Sequence, residues 1–398
     1  MGGRIAALDV LRGVAILGTF GTNVWAFTHP QGVMGFLAGF GSGAGDTVTA
    51  LLQMITNGKF LGLLSIMFGI GLAIQHRSAG RRGRRWPGWY LWRSALLLFE
   101  GLLHYVLVFE FDVLMFYAVV SVLVAYLVGR GPRVQAGWMV AAGALNLALV
   151  GVITAALLTG GTTVGDPGFV LTTESWWDGV RARVEHFGLF RSEGFLVLPL
   201  SALLFLAGAR LFGAGALEDS ARGGRIRRRL VVWGLGVGVP LNVATTLAGA
   251  SWFAVDRYVC APLVAFGLLG GITALVHRMR AEAGPVRRGV TAVGRSALSC
   301  YVAQNVIASA LCYRWGLGLA ARWGHLGPWF TAGVWLVVSA LLVVGASWWM
   351  RRFPRGPVET VWDWAYRAPA EGLFRRRTRP VVGASFTVPD TVLPSMRR

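Results

Sequence analysis

Charged residues are scarce in this chain of 398 residues, of which only 14% are Asp, Glu, Lys or Arg. A soluble globular domain carries about 25% charged residues, so the composition argues against a water-soluble protein. Disorder is excluded as well, because 55% of the residues are hydrophobic and the mean hydropathy is +0.58. The composition therefore indicates a protein that resides in an apolar environment.

Lysine and cysteine are almost absent. Lys59 is the only lysine among 38 basic residues, and its place before an apolar run favours an anchor at the outer membrane interface. Three cysteines lie inside apolar stretches and are too few and too scattered for a disulfide framework or a zinc site: Cys260, Cys300 and Cys312. We expect no metal site and no tightly bound cofactor.

The net charge of +20 does not form one stripe, which argues against nucleic acid as a partner. The arginines instead form short clusters between long apolar runs, a pattern typical of a polytopic membrane protein that meets anionic lipid. A spanning helix needs about 20 mainly apolar residues, and about ten such runs are present. The sequence thus predicts an all-α transmembrane bundle of about ten helices near 8–28, 57–76, 89–109, 113–130, 134–158, 194–214, 230–249, 255–277, 292–313 and 328–350.

The arginine clusters fall in alternate connections between these runs. Residues 77–88, 210–229 and 278–288 are strongly basic, whereas 110–112 reads Glu-Phe-Asp and 250–257 has a single arginine. By the positive-inside rule the basic side is cytoplasmic. We therefore predict a multi-pass protein of the bacterial inner membrane, with both termini in the cytoplasm and basic loops on the anionic inner leaflet.

The hydropathy pattern divides the chain into four parts. Residues 1–158 form an N-terminal transmembrane half, 159–192 an outer connection and 193–368 a C-terminal transmembrane domain. The arginine-rich tail 369–398 has no apolar period and is predicted to be disordered on the cytoplasmic surface. The stretch 33–56 is Gly-rich and weakly apolar, and its pattern leaves open whether it spans, re-enters or lies on the membrane.

The outer connection contains an amphipathic segment at 175–187. Ser175 and Asp178 fit a helix cap, and two tryptophans share a face with Val180, Val184 and Phe187. We predict a short helix here. It could lie in the outer interface with its tryptophans at headgroup level, or pack on the bundle as an ordinary loop helix.

Ionisable residues within apolar runs are informative, because each costs about 2.5–3.5 kcal/mol at the centre of a spanning helix. In the first run, Asp9 and Arg12 share one helical face and can pair. The pair could be purely structural, or Arg12 could hold an anionic group of a substrate. Asn23 lies about 16 Å farther along nearly the same face, and His29 follows at the outer end.

A second cluster of ionisable residues lies on the third run. Glu100 and His104 are four residues apart, and Glu110 and Asp112 follow at the outer turn. A histidine beside carboxylates is the arrangement that orients a general base and stabilises its imidazolium. It is equally typical of a buried polar network that holds helices together.

The C-terminal half also carries polar residues in apolar segments. They could line a cavity and contact a substrate, or they could hydrogen-bond between helices at about 0.6 kcal/mol each. These residues are Asn242, Asp256, Arg257, Tyr301, Gln304 and Asn305.

Several motifs resemble the YeiB-like family of bacterial membrane proteins, whose C-terminal domain has no assigned function. The resemblance covers residues 4–368 and includes Leu8-Asp9-Val-Leu-Arg12-Gly13, Lys59-Phe60, Gly101-Leu-Leu-His104, Gly294-Arg-Ser-Ala-Leu298 and Gly356-Pro357-Val-Glu359. It implies a membrane protein and leaves the biochemical role open.

The pattern Leu-Asp-x-x-Arg-Gly, with a polar residue eleven positions after the arginine, also resembles the transmembrane acyltransferase superfamily. That resemblance implies acyl transfer from cytoplasmic acyl-coenzyme A to a hydroxyl or amine acceptor at the membrane, on a lipid, a glycan or a small metabolite. In this hypothesis Arg12 holds the phosphates of the donor and Asn23 steadies the thioester oxygen.

Many superfamily members have a histidine where this chain has Asn23, and an amide cannot serve as a base. The proton of the acceptor would therefore pass to His104, oriented by Asp112 or Glu100, or to His29. The alternative hypothesis is a transporter or exporter of a small metabolite, whose path the same polar residues would line.

Overall fold

The computed structural model describes residues 6–39, 47–160, 173–279 and 283–375, and within those ranges it contains helices and no β-strand. The prediction of an all-α protein is confirmed. The N-terminal half comprises α1 (Ala6–Thr28), α2 (Gly32–Gly39), α3 (Thr47–Thr56), α4 (Lys59–Arg81), α5 (Trp89–Leu107), α6 (Leu114–Leu127), α7 (Pro132–Gly160), α8 (Trp176–Glu185) and α9 (Phe187–Arg191).

The second half begins with a helix that contains a proline and ends with an amphipathic helix. Its helices are α10 (Gly194–Gly213), α11 (Ala221–Gly236), α12 (Gly238–Leu247), α13 (Phe253–Val255), α14 (Ala261–Arg278), α15 (Pro285–Arg295), α16 (Ala297–Cys312), α17 (Leu319–Trp323), α18 (Pro328–Trp349) and α19 (Pro357–Arg375). A π-helical turn at Asp256–Cys260 joins α13 to α14.

Seven helical segments of the described chain are long and apolar enough to cross a membrane. Two shorter helices, α6 and α16, are also apolar. Together with α5, these helices coincide with the apolar runs found in the sequence. The protein is therefore an integral membrane protein by length and composition of its helices, while the number of spans and their orientation stay predictions.

The helices correct two predicted boundaries and describe part of the stretch that the sequence left open. The stretch 33–56 contains α2 and α3, and residues 40–46 between them lie outside the described residues. The basic connection 210–229 is largely helical, because Ser220 caps α11 by accepting a hydrogen bond from the backbone N–H of Gly223. Helix α12 starts anew after Val237, so the run 230–249 is split.

The predicted tail also begins too early. Residues 369–375 belong to α19, and the remaining residues, 376–398, lie outside the described part of the chain. The part of α19 before these residues packs on α5: Trp92 Nε1 donates to the carbonyl oxygen of Ala365 at 3.2 Å, and Arg93 lies over the ring of Trp362 at 4.6 Å.

Two motifs meet where α1 crosses α15. A Cβ atom at Gly13 would overlap the carbonyl oxygen of Val290, and one at Gly294 would overlap the carbonyl oxygen of Asp9. Only glycine permits the two backbones to approach this closely. Such close packing favours helix association in a membrane, where no hydrophobic effect drives helices together. The Leu-Asp-x-x-Arg-Gly motif and the Gly294 motif thus form one helix crossing.

A second pair of motifs meets at the start of α16. The carboxylate of Glu359, in α19, accepts hydrogen bonds from the backbone N–H groups of Leu298 at 2.8 Å and Ser299 at 3.3 Å. These N–H groups have no partner within the first turn of α16, so the carboxylate serves as its cap. Gly356 leaves the space that this carboxylate needs. Helix α19 is thereby fixed to the bundle.

Candidate functional site

A buried network is centred on His104, near the end of α5. Its Nδ1 lies 2.9 Å from Oδ1 of Asp112, and its Nε2 lies 3.2 Å from Nδ2 of Asn305 in α16. The His104 side chain is only 1% exposed. Because a carboxylate only accepts hydrogen bonds, Nδ1 carries the proton, and the lone pair of Nε2 accepts from the Asn305 amide.

The network extends from His104 to α1. Asn305 Oδ1 accepts a hydrogen bond from Nδ2 of Asn23 at 3.3 Å, and Asn305 Nδ2 also lies 3.4 Å from the carbonyl oxygen of Tyr301. The hydrogen bonds therefore run in one direction, from Asn23 through Asn305 and His104 to Asp112. We call this series the Asn23–Asp112 chain.

Asp112 is held by groups other than His104. The hydroxyl of Tyr301 donates to Oδ1 at 3.3 Å, and the backbone N–H of Met115 donates to Oδ2 at 3.2 Å. A Cβ atom on Gly101 would lie 2.6 Å from that backbone nitrogen, so glycine is required beside the carboxylate. The structure thus brings together five residues selected from the sequence: Asn23, His104, Asp112, Tyr301 and Asn305.

Two other selected residues do not join the chain. Neither carboxylate oxygen of Glu100 and neither side-chain atom of Gln304 has a hydrogen-bond partner in the described part of the protein, although these atoms are buried. His104 is therefore oriented by Asp112 and not by Glu100. Glu100, one turn earlier on α5, remains a buried carboxyl group outside the network.

Two buried arginines that the sequence did not single out fix the turn that carries Asp112. Arg183, in α8, lies 2.9 Å from Glu110 Oε1 and donates to the carbonyl oxygen of Val106 at 2.9 Å. Arg191 donates to the backbone oxygens of Asp112, at 2.7 Å, and of Glu110. No sequence signal separates these arginines from exposed ones, because their connection was expected to lie outside the bilayer.

The buried arginine also settles how the segment 175–187 packs. Ser175 accepts a hydrogen bond from the backbone N–H of Asp178, so the predicted cap is confirmed. Val180 and Arg183 are buried against the bundle, whereas Trp177 and Val184 are exposed. The helix therefore packs on the bundle through one face, and its place in the outer membrane interface stays a prediction.

A cavity of about 960 Å³ adjoins the Asn23–Asp112 chain. Asn23 lines it, and so do the last residues of α1 and the starts of α10 and α18. The starts of α4 and α14 flank the same end of the bundle, and both helices end at arginine-rich connections. The cavity thus lies at the end of the bundle opposite the arginine clusters, and Asn23 connects it to His104.

His29 is also in the cavity wall, directly after α1. Its Nδ1 accepts a hydrogen bond from the backbone N–H of Gln31 at 3.2 Å. Burial lowers the pKa of His29 below its ordinary value, so the ring is neutral at pH 7. It takes no part in the hydrogen bonds of the Asn23–Asp112 chain.

A second polar cluster lines the cavity. Arg257 lies 2.8 Å from Glu193 Oε1 and 2.7 Å from Asn57 Oδ1, and the Tyr258 hydroxyl donates to Glu193 Oε1 at 2.6 Å. Asn57 Nδ2 in turn donates to Asp256 Oδ2 at 3.0 Å. Arg257 was predicted to contact a substrate, whereas Asn57, Glu193 and Tyr258 were missed.

This cluster is positioned by irregular backbone. Asp256–Cys260 forms a π-helical turn, which is common at functional sites. Gly58 breaks the chain between α3 and α4 with φ of 70°, and a Cβ atom there would lie 2.6 Å from the Arg257 carbonyl oxygen. Lys59 follows at once and is buried, donating to the carbonyl oxygen of Met54. The prediction of Lys59 as an interface anchor is therefore wrong.

The pair at the start of α1 lies apart from the cavity. Arg12 Nη1 is 3.7 Å from Asp9 Oδ1, so the predicted pairing is present. Asp9 is buried and Arg12 is 40% exposed, and neither residue lines the cavity. Within the described ranges, no group of three or more His, Cys, Asp or Glu residues is suited to hold a metal ion.

These features define a helical integral membrane protein with an internal histidine–carboxylate network beside a large cavity. Residues 211–368 match a family model described as "Protein of unknown function (DUF418)". The chain is 26% identical over 391 residues to "Uncharacterized protein YxaH" of Bacillus subtilis (strain 168), a match that covers 90% of this chain and 93% of that protein.

A second relative is "Uncharacterized protein YeiB" of Escherichia coli (strain K12). It is 29% identical over 388 residues, which cover 90% of this chain and 95% of the relative. The predicted resemblance to the YeiB-like proteins is thereby confirmed, and it extends over most of the chain, with the DUF418 match in the C-terminal half.

Proposed function

We propose that this protein transfers an acyl group from acyl-coenzyme A to a hydroxyl or amine acceptor bound in the cavity. The observation that carries the proposal is the Asn23–Asp112 chain, which links the cavity wall to a histidine paired with a buried carboxylate. Such a pairing holds the ring in one orientation and stabilises the imidazolium after proton transfer.

The donor would approach from the arginine-rich end, which we assign to the cytoplasm of a bacterial inner membrane. Arg12 lies eleven residues before Asn23 on α1, a separation of about 16 Å along the helix axis. The long pantetheine arm of coenzyme A suits this arrangement, with its phosphates at Arg12 and its thioester near Asn23. A guanidinium fork binds phosphate through two parallel hydrogen bonds.

In the proposed step, the acceptor oxygen or nitrogen attacks the thioester carbonyl carbon while its proton passes to His104 Nε2. A carbon–oxygen or carbon–nitrogen bond forms, the carbon–sulfur bond breaks, and the imidazolium returns the proton to the departing thiolate. The Asn305 amide already donates a hydrogen bond to His104 Nε2, so this amide must turn aside when the acceptor binds. Its hydrogen bond to Asn23 provides the connection to the cavity.

Acetyl-coenzyme A tests the donor side of the proposal. We expect calorimetry to detect its binding to the purified protein in lipid nanodiscs, and Arg12→Lys to weaken that binding, because a lysine cannot hold phosphate through a planar fork. Arg181→Lys, on the exposed surface of α8, is the matched control and should bind as the unmodified protein does. Absence of binding at millimolar acetyl-coenzyme A would contradict acyl transfer.

The proposed orientation predicts the side on which fused reporters are found. Reporters placed after Arg85, Arg228 or Arg288 should be cytoplasmic, and reporters at Gly161 or beside Asp256 should be external, because the arginine clusters mark the inner side. Activity of paired alkaline phosphatase and fluorescent-protein fusions measures this directly. Two or more contrary reporters would show that the number of spans differs by an odd number.

Transport of a small metabolite is the second candidate function. It is favoured by the π-helical turn at Asp256–Cys260 beside the cavity, because irregular helical backbone that lines a cavity is typical of transporters. Flux of a substrate into proteoliposomes without chemical change would decide for transport over acyl transfer.

A further inference from the structure

The charges around the cavity compensate one another. Arg257 is paired with Glu193, and it also donates hydrogen bonds to Asn57 Oδ1 and to the Tyr258 hydroxyl oxygen. Lys59 interacts electrostatically with Asp256, which also accepts from Asn242 and from Thr245 at 3.1 Å. Among the described residues, the two positive groups, Arg257 and Lys59, therefore balance the two negative groups, Glu193 and Asp256.

We propose that the cavity binds an uncharged polyhydroxyl compound, a sugar or a polyol. This compound would be the acceptor of the proposed acyl transfer, and its role as acceptor rests on that proposed function. Its binding to the cavity can be measured without turnover. A net charge on the ligand would lose part of its hydration without gaining a free counter-charge from the described residues, which is unfavourable.

The polar groups left for a ligand are of both kinds, acceptors and donors. The hydrogen bonds of Glu193 with its described partners all fall on Oε1, so Oε2 remains as an acceptor in a side chain that is 22% exposed. Asn23 uses one amide hydrogen toward Asn305 and keeps its second hydrogen and its oxygen. A hydroxyl group can satisfy both, because it donates and accepts, whereas an ammonium only donates and a fully ionised phosphate only accepts.

The remaining wall suits the apolar face of a sugar ring. Aromatic side chains line the cavity beside the polar cluster, among them Trp25, Phe195 and Phe253. Their flat faces can pack on the C–H groups of a pyranose while the ring hydroxyls reach the amides and the carboxylate. The volume of about 960 Å³ lies near the upper end of the range for ligand pockets, about 300–1,000 Å³, and admits a disaccharide.

Glucose, glucose 6-phosphate and glucosamine share one ring and differ in charge, so comparing them isolates the effect of ligand charge. Calorimetric titration of the full-length protein in nanodiscs should show saturable binding of glucose or of its disaccharide trehalose. Glucose 6-phosphate and protonated glucosamine should bind at least tenfold more weakly than glucose. The proposal is overturned if neither neutral sugar binds, or if a charged sugar binds as tightly as glucose.

A variant that fills the cavity locates the site. Ser192 lines the cavity and its side chain is exposed, so Ser192→Trp should fold and should abolish sugar binding by occupying the space. Ser192→Ala is the matched control and should bind normally. Equal sugar binding by the two variants would place the sugar elsewhere and overturn the assignment.

The two proposals can fail separately. Sugar binding without any acetyl-coenzyme A binding would leave the ligand assignment standing and would remove acyl transfer. Binding and turnover of acetyl-coenzyme A without sugar binding would keep the transfer and show that the acceptor belongs to another chemical class.

Discussion

Replacing His104 by glutamine should lower acyl-transfer turnover by roughly 10²–10⁴-fold while folded protein remains in the membrane. Glutamine retains the approximate size of the ring and can still hydrogen-bond to Asp112 and Asn305, so the contacts of the Asn23–Asp112 chain persist. What is lost is the ring nitrogen that takes the proton of the acceptor in the proposed step. Turnover and melting temperature should be measured on one preparation.

His76→Gln is the control for this experiment. His76 lies in α4 against the ring of Trp86, at a centroid distance of 5.1 Å, and has no contact with the cavity wall. Its substitution should leave turnover near normal. If His104→Gln lowers the melting temperature but the surviving protein is active, the network only holds helices together. A stable and fully active His104→Gln protein would leave His29 as the remaining candidate base.

The members of the Asn23–Asp112 chain could be selected from the sequence because polar residues are rare in apolar runs. Each of Asn23, His104 and Asn305 interrupts such a run, and the helical rise placed Asn23 deep along α1. The sequence could not pair them, since α1, α5 and α16 are far apart in the chain. It also left Asp112 and Glu100 as equal partners of His104, and only tertiary packing distinguishes them.

Residues in the outer connection were missed for a physical reason. A charge in a predicted loop carries no penalty that a sequence reveals, so Arg183, Arg191 and Glu193 resembled solvated side chains. The structure instead buries Arg183 and Arg191 against the turn at Glu110. The same limit applies to Lys59, whose burial depends on the break at Gly58.

The helices themselves were predicted better than their ends. Apolar runs of spanning length identify the long apolar helices, but arginines that begin α11 or end α4 are compatible with both helix and loop. The π-helical turn at Asp256–Cys260 has no sequence signature, because it arises from one extra residue accommodated by packing. The irregular parts of the backbone are also those that shape the cavity wall.

Replacing Arg183 by glutamine should destabilise the protein by about 3–5 kcal/mol, the cost of leaving one member of a buried ion pair without its partner. The Arg183 side chain is 3% exposed and that of Glu110 is 2% exposed. The Oε2 atom of Glu110 already has no partner among the described residues, so removal of the guanidinium would leave the whole carboxylate unpaired. Thermal unfolding in detergent, followed by tryptophan fluorescence, measures the effect.

Arg181→Gln is the matched control, because Arg181 lies in the same helix and is exposed. Its substitution should change stability by no more than about 0.5 kcal/mol. The double variant Arg183→Gln with Glu110→Gln should recover part of the lost stability, since it removes the uncompensated charge. Turnover should fall together with stability in Arg183→Gln, because the turn from 108 to 113 positions Asp112. An Arg183→Gln protein that melts like Arg181→Gln would show that Arg183 does not hold this turn, and that the backbone contacts of Arg191 are sufficient to fix it.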